Sequence, residues 1–442
     1  MSRTIYTSKR EAIILDDNPF ASGGEGAVYK VKSAPSFLKN VCVKIYHSSK
    51  ANASREKKIK YMVAHPPHSI RSDRFMIGWP LEYVTDAAGA FLGFVMPMGF
   101  PGSKELVILT SMNLSKKLDQ DWYKRYDRKL GKSSLLSRLK LICNIAIPIH
   151  ILHNTNKYVL IDFKPQNVLV TKDGRVTIVD MDSIQISERD KLLFPGSAAT
   201  PDYRPPEFYK KGIGTKPYHL IKPSWDMFSI GVVFYQILFG LHPYTVTPRI
   251  QQKDGSNEPF RNISYGLFPF GKNAQLIAVT PPPHEKFKYL PKVLKDLFIS
   301  TFSENFANRP DAELWGRLIH QIVTKAEKEI TVNEGGNSTS TSGNTHKGNS
   351  ASSTKTGTKS IETSGFVGQE VSSSKSKSQN NKVKKETYLE RHVVGISSTV
   401  SAVCALGGFC FTGEIGFGIG GGVLGFFGTA ILIGIISGIS EK

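Results

Sequence analysis

The sequence predicts an α+β body over residues 1–330, a polar tether over 331–388 and an apolar end over 389–442. Three observations lead there. Composition changes twice: mixed apolar, aromatic and charged residues give way to Ser, Thr, Gly, Asn and Lys, and then to a nearly uncharged stretch. Near the start, "ASGGEGAVYKV" (Ala21–Val31) and "VCVKIY" (Val41–Tyr46) place strand-like runs around a glycine turn. Between and beyond them lie a helical pattern, "ANASREKKIKYMVAH", and a hairpin, "VTKDGRVTIVD", whose Asp173-Gly174 pair is a strong turn signal.

The chain has 442 residues and a formal charge of +20. A strongly basic chain invites a nucleic-acid reading. Here the excess is spread over the folded body and not gathered into a tail, so nucleic acid is not expected as a partner. A solvated basic surface is the simplest account, and attraction to anionic lipid headgroups the second. Of the four cysteines, Cys42 and Cys143 lie in apolar runs and read as core, while Cys404 and Cys410 fall in the apolar end. None has metal-ligand spacing. The opening "MSRTIYTSKREAIIL" has no signal-peptide core, so the body is expected in a reducing cytoplasm.

The glycine turn comes first in the chain. Backbone N–H groups in such a turn can approach an anion that side chains would keep away. Taken alone, Gly23, Gly24 and Gly26 mark a tight hairpin more often than a phosphate cradle. Lys44 shifts the balance, because it ends an apolar strand where a buried cation needs a partner. Glu56, the only Glu between Lys44 and Glu82, lies three residues before Ile59. It is expected to share the inward helix face with Ile59, Met62 and Val63 and to pair with Lys44.

The segment "LIDFKPQNVLV" (Leu160–Val170) then sets Asp162, Lys164 and Asn167 at fixed offsets, and "VTIVDMDS" adds Asp180 and Asp182. With these residues the chain resembles a protein kinase over about residues 10–325. The resemblance implies a two-lobed fold, with a small β-rich lobe over about 10–98 and a larger helical lobe over about 99–325. It implies that Asp162 accepts the proton of a substrate hydroxyl and that Lys164 offsets charge on the transferred phosphoryl group. Asn167 and Asp180 would hold Mg²⁺, for which hard oxygen ligands are suited. Lys44, held by Glu56, would grip the phosphates of ATP beneath Gly23, Gly24, Gly26 and Val28. "GFVMPMG" (Gly93–Gly99) would hold adenine, with Met96 and Met98 beside it.

Other stretches agree with the resemblance. "ATPDYRPPEF" is similar to the end of an activation segment, with Pro205-Pro206-Glu207 in the place of A-P-E. "SWDMFSIGVVFYQILFGLHPY" resembles the central helix of the large lobe, with Asp226 its acid, and Arg309 of "NRPDAELW" stands where the partner of Glu207 is expected. Lys164 with Thr200 points to Ser/Thr substrates. The departures are Ala21 at the first glycine position, Leu160-Ile161 in place of His-Arg, and Asp180-Met181-Asp182 in place of D-F-G. Loss of the Arg argues against control by a phosphate on the activation segment. Asp182 is read as a turn cap or a metal contact, with the cap preferred. No function is assigned to the insertion "DQDWYKRYDRKL" (Asp119–Leu130).

A membrane-spanning helix needs about 20 largely apolar residues. Val393–Gly413 and Ile415–Ser440 are both long enough, with Glu414 between them and Lys382, Lys384, Lys385 and Arg391 before them. The basic flank places that side in the cytoplasm. Two spans or one remain open from the sequence. Gly418/Gly422, Gly421/Gly425 and Gly434/Gly438 would permit close helix packing and a homodimer. The expectation is a membrane-anchored Ser/Thr protein kinase using ATP and Mg²⁺, with its kinase domain in the cytoplasm. The alternative is a nucleotide-binding scaffold that recruits partners at the membrane.

Overall fold

The computed structural model describes residues 3–196, 199–249 and 258–335. The chain divides into two units, Met1–Asn344 and Thr345–Lys442, and every described residue lies in the first. The tether beyond residue 335, the apolar end and its glycine pairs lie outside the described residues.

Eight strands and one helix come first: β1 (Thr4–Tyr6), β2 (Ala12–Leu15), β3 (Ala21–Ser22), β4 (Gly26–Ser33), β5 (Val41–Tyr46), helix α1 (Ala53–Ala64), β6 (Phe75–Ile77), β7 (Glu82–Thr85) and β8 (Phe91–Pro97). All strands but β6 form one sheet in the order β2-β1-β7-β8-β5-β4-β3. The sheet already begins at Thr4, ahead of the boundary near residue 10 that the resemblance implied. Alternation along β5 sorts its side chains between two faces. Val43 and Ile45 join Ile5, Ile13, Val84 and Val95 in a core on one face. Cys42, Tyr46, Phe94 and Met96 point the other way, into a core continuous with the rest of the domain. Lys44 sits in register with Val28 and Phe94 on that second face.

Helix α1 starts where Asn52 accepts the backbone N–H of Arg55 at 3.0 Å, an N-cap. Its buried residues are Lys58, Ile59 and Met62. The strand β6 leaves the small-lobe sheet altogether. It runs parallel to β12 (Val176–Ile178) in a four-stranded sheet with β9 (Lys104–Glu105) and β11 (Val168–Val170), while β10 (Tyr158–Val159) lies in another sheet. The next turn holds both neighbours: the N–H of Gly78 donates to Ile178 O at 2.8 Å, and Trp79 Nε1 donates to Met62 O of α1 at 2.9 Å. Helix α1 and the strand leading to Asp180 are therefore braced by the same short segment.

The larger part is helical. Helix α2 (Gln120–Tyr126) falls in the unexplained insertion, followed by α3 (Lys132–His153), α4 (Pro206–Lys211), α5 (Ser224–Phe239), α6 (Pro259–Ser264), α7 (Lys292–Thr301) and α8 (Ala312–Gly335). Helix α8 runs on past residue 330, so its end falls in the stretch expected to be tether. Helix α3 is long and apolar enough to cross a membrane by composition, yet its apolar residues pack in the core against α5 and α8. Helix α5 is buried over most of its length and ends at Gly240, where φ is +75°. A Cβ there would lie 2.8 Å from the Met112 backbone nitrogen, so both conformation and space require glycine.

The insertion has a structural role. Trp122 and Tyr126 are buried in the main core. Arg128 donates to the carbonyls of Gln236 and Ile237 at 3.3 and 3.1 Å, and also to that of Leu238. Arg138 of α3 reaches Ile237 O at 2.9 Å and Leu109 O at 3.1 Å. The last carbonyls of a helix have no intrahelical donors and carry partial negative charge. Two guanidinium groups supply the donors here, so the buried end of α5 is satisfied by a segment the sequence alone left unexplained.

Candidate active site

The Leu160–Val170 loop hangs from α5. Asp226 is fully buried and accepts the backbone N–H of Leu160 at 2.6 Å, that of Ile161 at 2.9 Å and His153 Nε2–H at 2.9 Å. Ile161 is held at φ +67°, a conformation costly for a β-branched residue. Its carbonyl accepts Trp225 Nε1–H at 2.9 Å, and its side chain packs with Val159, Ala199, Ile221 and Trp225. Where the resemblance expected an Arg reaching toward a phosphate, an apolar cluster lies beneath the activation segment.

Asp162 follows that strained turn. Its Oδ2 accepts Lys164 Nζ at 2.6 Å and its Oδ1 accepts the Thr200 N–H at 2.7 Å. Lys164 also donates to Thr200 Oγ1 at 2.8 Å, closing a triangle that uses the Asp162 and Lys164 side chains and both the N–H and the hydroxyl of Thr200. Asn167 donates its amide N–H to Asp162 O at 2.9 Å, which leaves its Oδ1 without a protein partner among the described residues. The activation segment is anchored below by the buried pair of Arg309 and Glu207, with two N···O distances of 2.7 and 2.8 Å. The expected partnership of those two residues is present.

The Lys44 partnership differs from expectation. Its Nζ lies 2.8 and 2.9 Å from the two carboxylate oxygens of Asp182 and 3.0 Å from Asp180 Oδ1. Glu56 does not reach it. Glu56 pairs with Lys60 one helical turn along, at 2.7 Å, where both side chains are partly exposed. The reason is angular: at 3.6 residues per turn, Glu56 lies about 120° around the axis from buried Met62. Arg55 and Lys58 take the inward positions. Lys58 Nζ donates to Asp182 O at 2.7 Å, and Arg55 forms a two-pronged pair with Glu25 of the glycine turn, 2.9 Å on each prong. Tyr46 donates its hydroxyl to Asp182 Oδ2 at 2.7 Å.

Asp182 is thus no turn cap. It is a buried carboxylate between Lys44, Tyr46 and Lys58. Burial opposes its charge, but the adjacent Lys44 and these hydrogen bonds hold its pKa below the usual carboxylate value. Burial likewise disfavours charge on Lys44, and Asp182 and Asp180 outweigh it, raising the pKa. Lys58 goes the other way: burial dominates and lowers it to about 8.

Of the glycines, Gly26 is required by space, since a Cβ would come within 2.3 Å of Ile45 O. Gly23 and Gly24 face open space. Val28, Cys42 and Met96 lie on the same sheet face as Lys44. Met98 donates its backbone N–H to Asn40 O at 2.8 Å and is half-buried. Cys42, read from the sequence as core, therefore belongs to the roof of the cleft as well, and burial pushes its thiol up to about 12. The donor set fits a hard divalent cation. Asp180 uses only Oδ1 on Lys44, and Asn167 keeps its Oδ1 open, so two oxygen ligands remain available. Asp180 itself stands at φ +64°, fixed by Ser183, whose hydroxyl and N–H both reach Asp180 O, at 2.7 and 3.1 Å.

The two-lobed α+β fold and this cleft are similar to those of protein kinases. Residues 105–315 match the family described as Protein kinase domain. The chain is similar to Protein kinase YegI of Escherichia coli O157:H7, 25% identical over 340 residues that make up 75% of this chain and 48% of that protein. It is also similar to Serine/threonine-protein kinase 17A of Oryctolagus cuniculus, 34% identical over 128 residues, 28% of either chain. Among solved structures, a ROP18 kinase domain in complex with AMP-PNP and sucrose aligns with a TM-score of 0.48 at 15% identity, covering 75% of this chain and 87% of that one. The chain spans about half the length of the YegI proteins it matches.

Proposed function

We propose that this protein is a Mg²⁺–ATP-dependent Ser/Thr protein kinase held at a membrane by its C-terminal segment. The observation that carries the reading is the triangle of Asp162, Lys164 and Thr200. It sets one carboxylate and one ammonium group side by side, the charge pattern that phosphoryl transfer to a hydroxyl requires. Asp162 orients the hydroxyl of a Ser or Thr side chain and takes its proton. Lys164, which donates to Asp162, offsets charge on the oxygens of the moving group. Asn167 and Asp180 would hold the metal through their oxygens, and Lys44 would steady the nucleotide phosphates. Bound Mg²⁺–ATP supplies the phosphoryl group that is transferred. The Ser/Thr preference is supported by Thr200, which ties the activation segment to the catalytic Lys164.

The membrane reading is supported by the two uncharged stretches in 393–440 and the basic residues before them. The test uses full-length protein in detergent, labelled ATP, Mg²⁺ and a basic acceptor protein, with Asp162→Asn alongside. Label on Ser or Thr of the acceptor, absent with the variant, is the expected result. Tight nucleotide binding without transfer would favour the scaffold reading instead. Recovery of the protein from washed membranes after alkaline carbonate treatment checks the anchor, and its release by that treatment would refute it.

A further inference from the structure

We infer that Asp182 is the positioning residue for Lys44, and that the helix flanking the site supplies cations where an acid was expected. The inference rests on the phosphotransfer reading above and deepens it. A Lys buried as deeply as Lys44 needs an opposite charge beside it. Asp182 meets that need with both carboxylate oxygens within 2.9 Å of Nζ. Its side chain is 1% exposed, so it has no other function toward solvent. Glu56 is engaged at the surface by Lys60.

The rest of the shell is built around this exchange. Tyr46 fixes Asp182 Oδ2, and Lys58 fixes its backbone carbonyl. Asp182 lies two residues past Asp180, on a short turn that Ser183 ties back to Asp180 O. The metal-binding acid and the Lys44 anchor therefore sit on one rigid turn. In such an arrangement Lys44 is positioned by the turn after β12, while α1 braces that turn through Lys58 and the glycine turn through Arg55 and Glu25. Asp180 is the residue that metal would draw away, and Asp182 then remains as the lasting partner of Lys44.

The test compares Asp182→Asn, Glu56→Gln and the exchange variant Lys58→Glu/Asp182→Asn in full-length protein. ATP-dependent kinetics and Mg²⁺-dependent binding of a fluorescent ATP analogue are both measured. Misplacing a catalytic group by about 1 Å can cost roughly 100-fold. Asp182→Asn is expected to lower kcat/KM for ATP by roughly 10- to 100-fold, mostly through KM, while Glu56→Gln stays within about twofold. The exchange variant, which returns a carboxylate from α1, is expected to recover part of the loss. A merely structural role for Asp182 would lower the active fraction without moving KM and would not be rescued. Loss of activity in Glu56→Gln, which alters only a surface pair, would overturn the inference even if Asp182→Asn failed to fold. If the wild-type protein transfers no phosphate, the function reading fails. The same ranking of the variants in analogue affinity then still supports the anchor, and equal affinities refute it.

Discussion

Lys44 Nζ and Asp182 face each other across 2.8 and 2.9 Å, both nearly sealed from solvent. Removing one member of a buried pair leaves the other uncompensated, which typically costs about 3–5 kcal/mol. Lys44→Met is therefore expected to lose phosphotransfer and to lower folding stability. Adding Asp182→Asn should restore much of the stability and none of the activity. Denaturant unfolding of the two single variants and the double variant closes the cycle, and simple additivity of the losses would count against the pairing.

Asp162→Asn keeps the shape of the triangle but removes the carboxylate that pairs with Lys164 and is proposed to take the substrate proton. General-base contributions are about 10²- to 10⁴-fold. The expected outcome is a fall of that size in kcat, with nucleotide affinity little changed. A variant that lost nucleotide binding equally would show that Asp162 supports the cleft and not the transfer.

Arg309 and Glu207 tie the base of the activation segment to the region before α8, and both are buried. Glu207→Gln leaves a buried guanidinium without its charge partner. A stability loss of about 3 kcal/mol is expected, seen as a lower midpoint in urea with an unchanged slope. An unchanged midpoint would mean that water compensates the Arg.

Arg128 caps the end of α5 from the insertion. Arg128→Met removes charged donors from the Gln236, Ile237 and Leu238 carbonyls, leaving the Gly240 N–H on Gln236 O and Arg138 on Ile237 O. The expected cost is roughly 2 kcal/mol, read as a lower Tm with the catalytic constants retained. If deletion of these contacts changed kcat and left Tm in place, the insertion would have a role beyond support.

His242 gives a pH prediction. It is buried, donates Nε2–H to Asp202 O at 3.0 Å and accepts the Tyr244 N–H on Nδ1 at 3.2 Å, so it is held neutral. Burial lowers its pKa from 6.5 to about 3. Between those values the unfolded chain binds the proton and the folded one does not, so stability falls as pH drops below 6.5. The slope from this one residue approaches about 1.4 kcal/mol per pH unit. Urea midpoints at pH 7.5 and 5 should differ less in His242→Asn than in the wild type, and equal differences would show that other groups carry the acid sensitivity.

Linear spacing was enough to mark out the Leu160–Val170 loop, the glycine turn and Lys44, while the Glu207–Arg309 pair, 102 residues apart, came from the resemblance. The first three depend on residue type and order along one short segment, where local geometry leaves few alternatives. The glycine requirement at Gly26 is of this kind, because a strand pairing so close to β5 leaves no room for a Cβ. The partner of Lys44 was different. Glu56 and Asp182 were both available acids, and choosing between them depends on the rotation of α1 about its axis and on the turn that follows Asp180. Rotation is set by which residues Trp79, Tyr46 and the sheet can cover, and that is a property of packing across distant segments. The same holds for Arg128 and Arg138, whose role exists only where α5 ends beside them. Sequence determined which chemical groups this protein carries and roughly where they enter the cleft. Tertiary structure decided which of them touch, because a buried charge takes the partner that packing brings within 3 Å and not the one that spacing suggests.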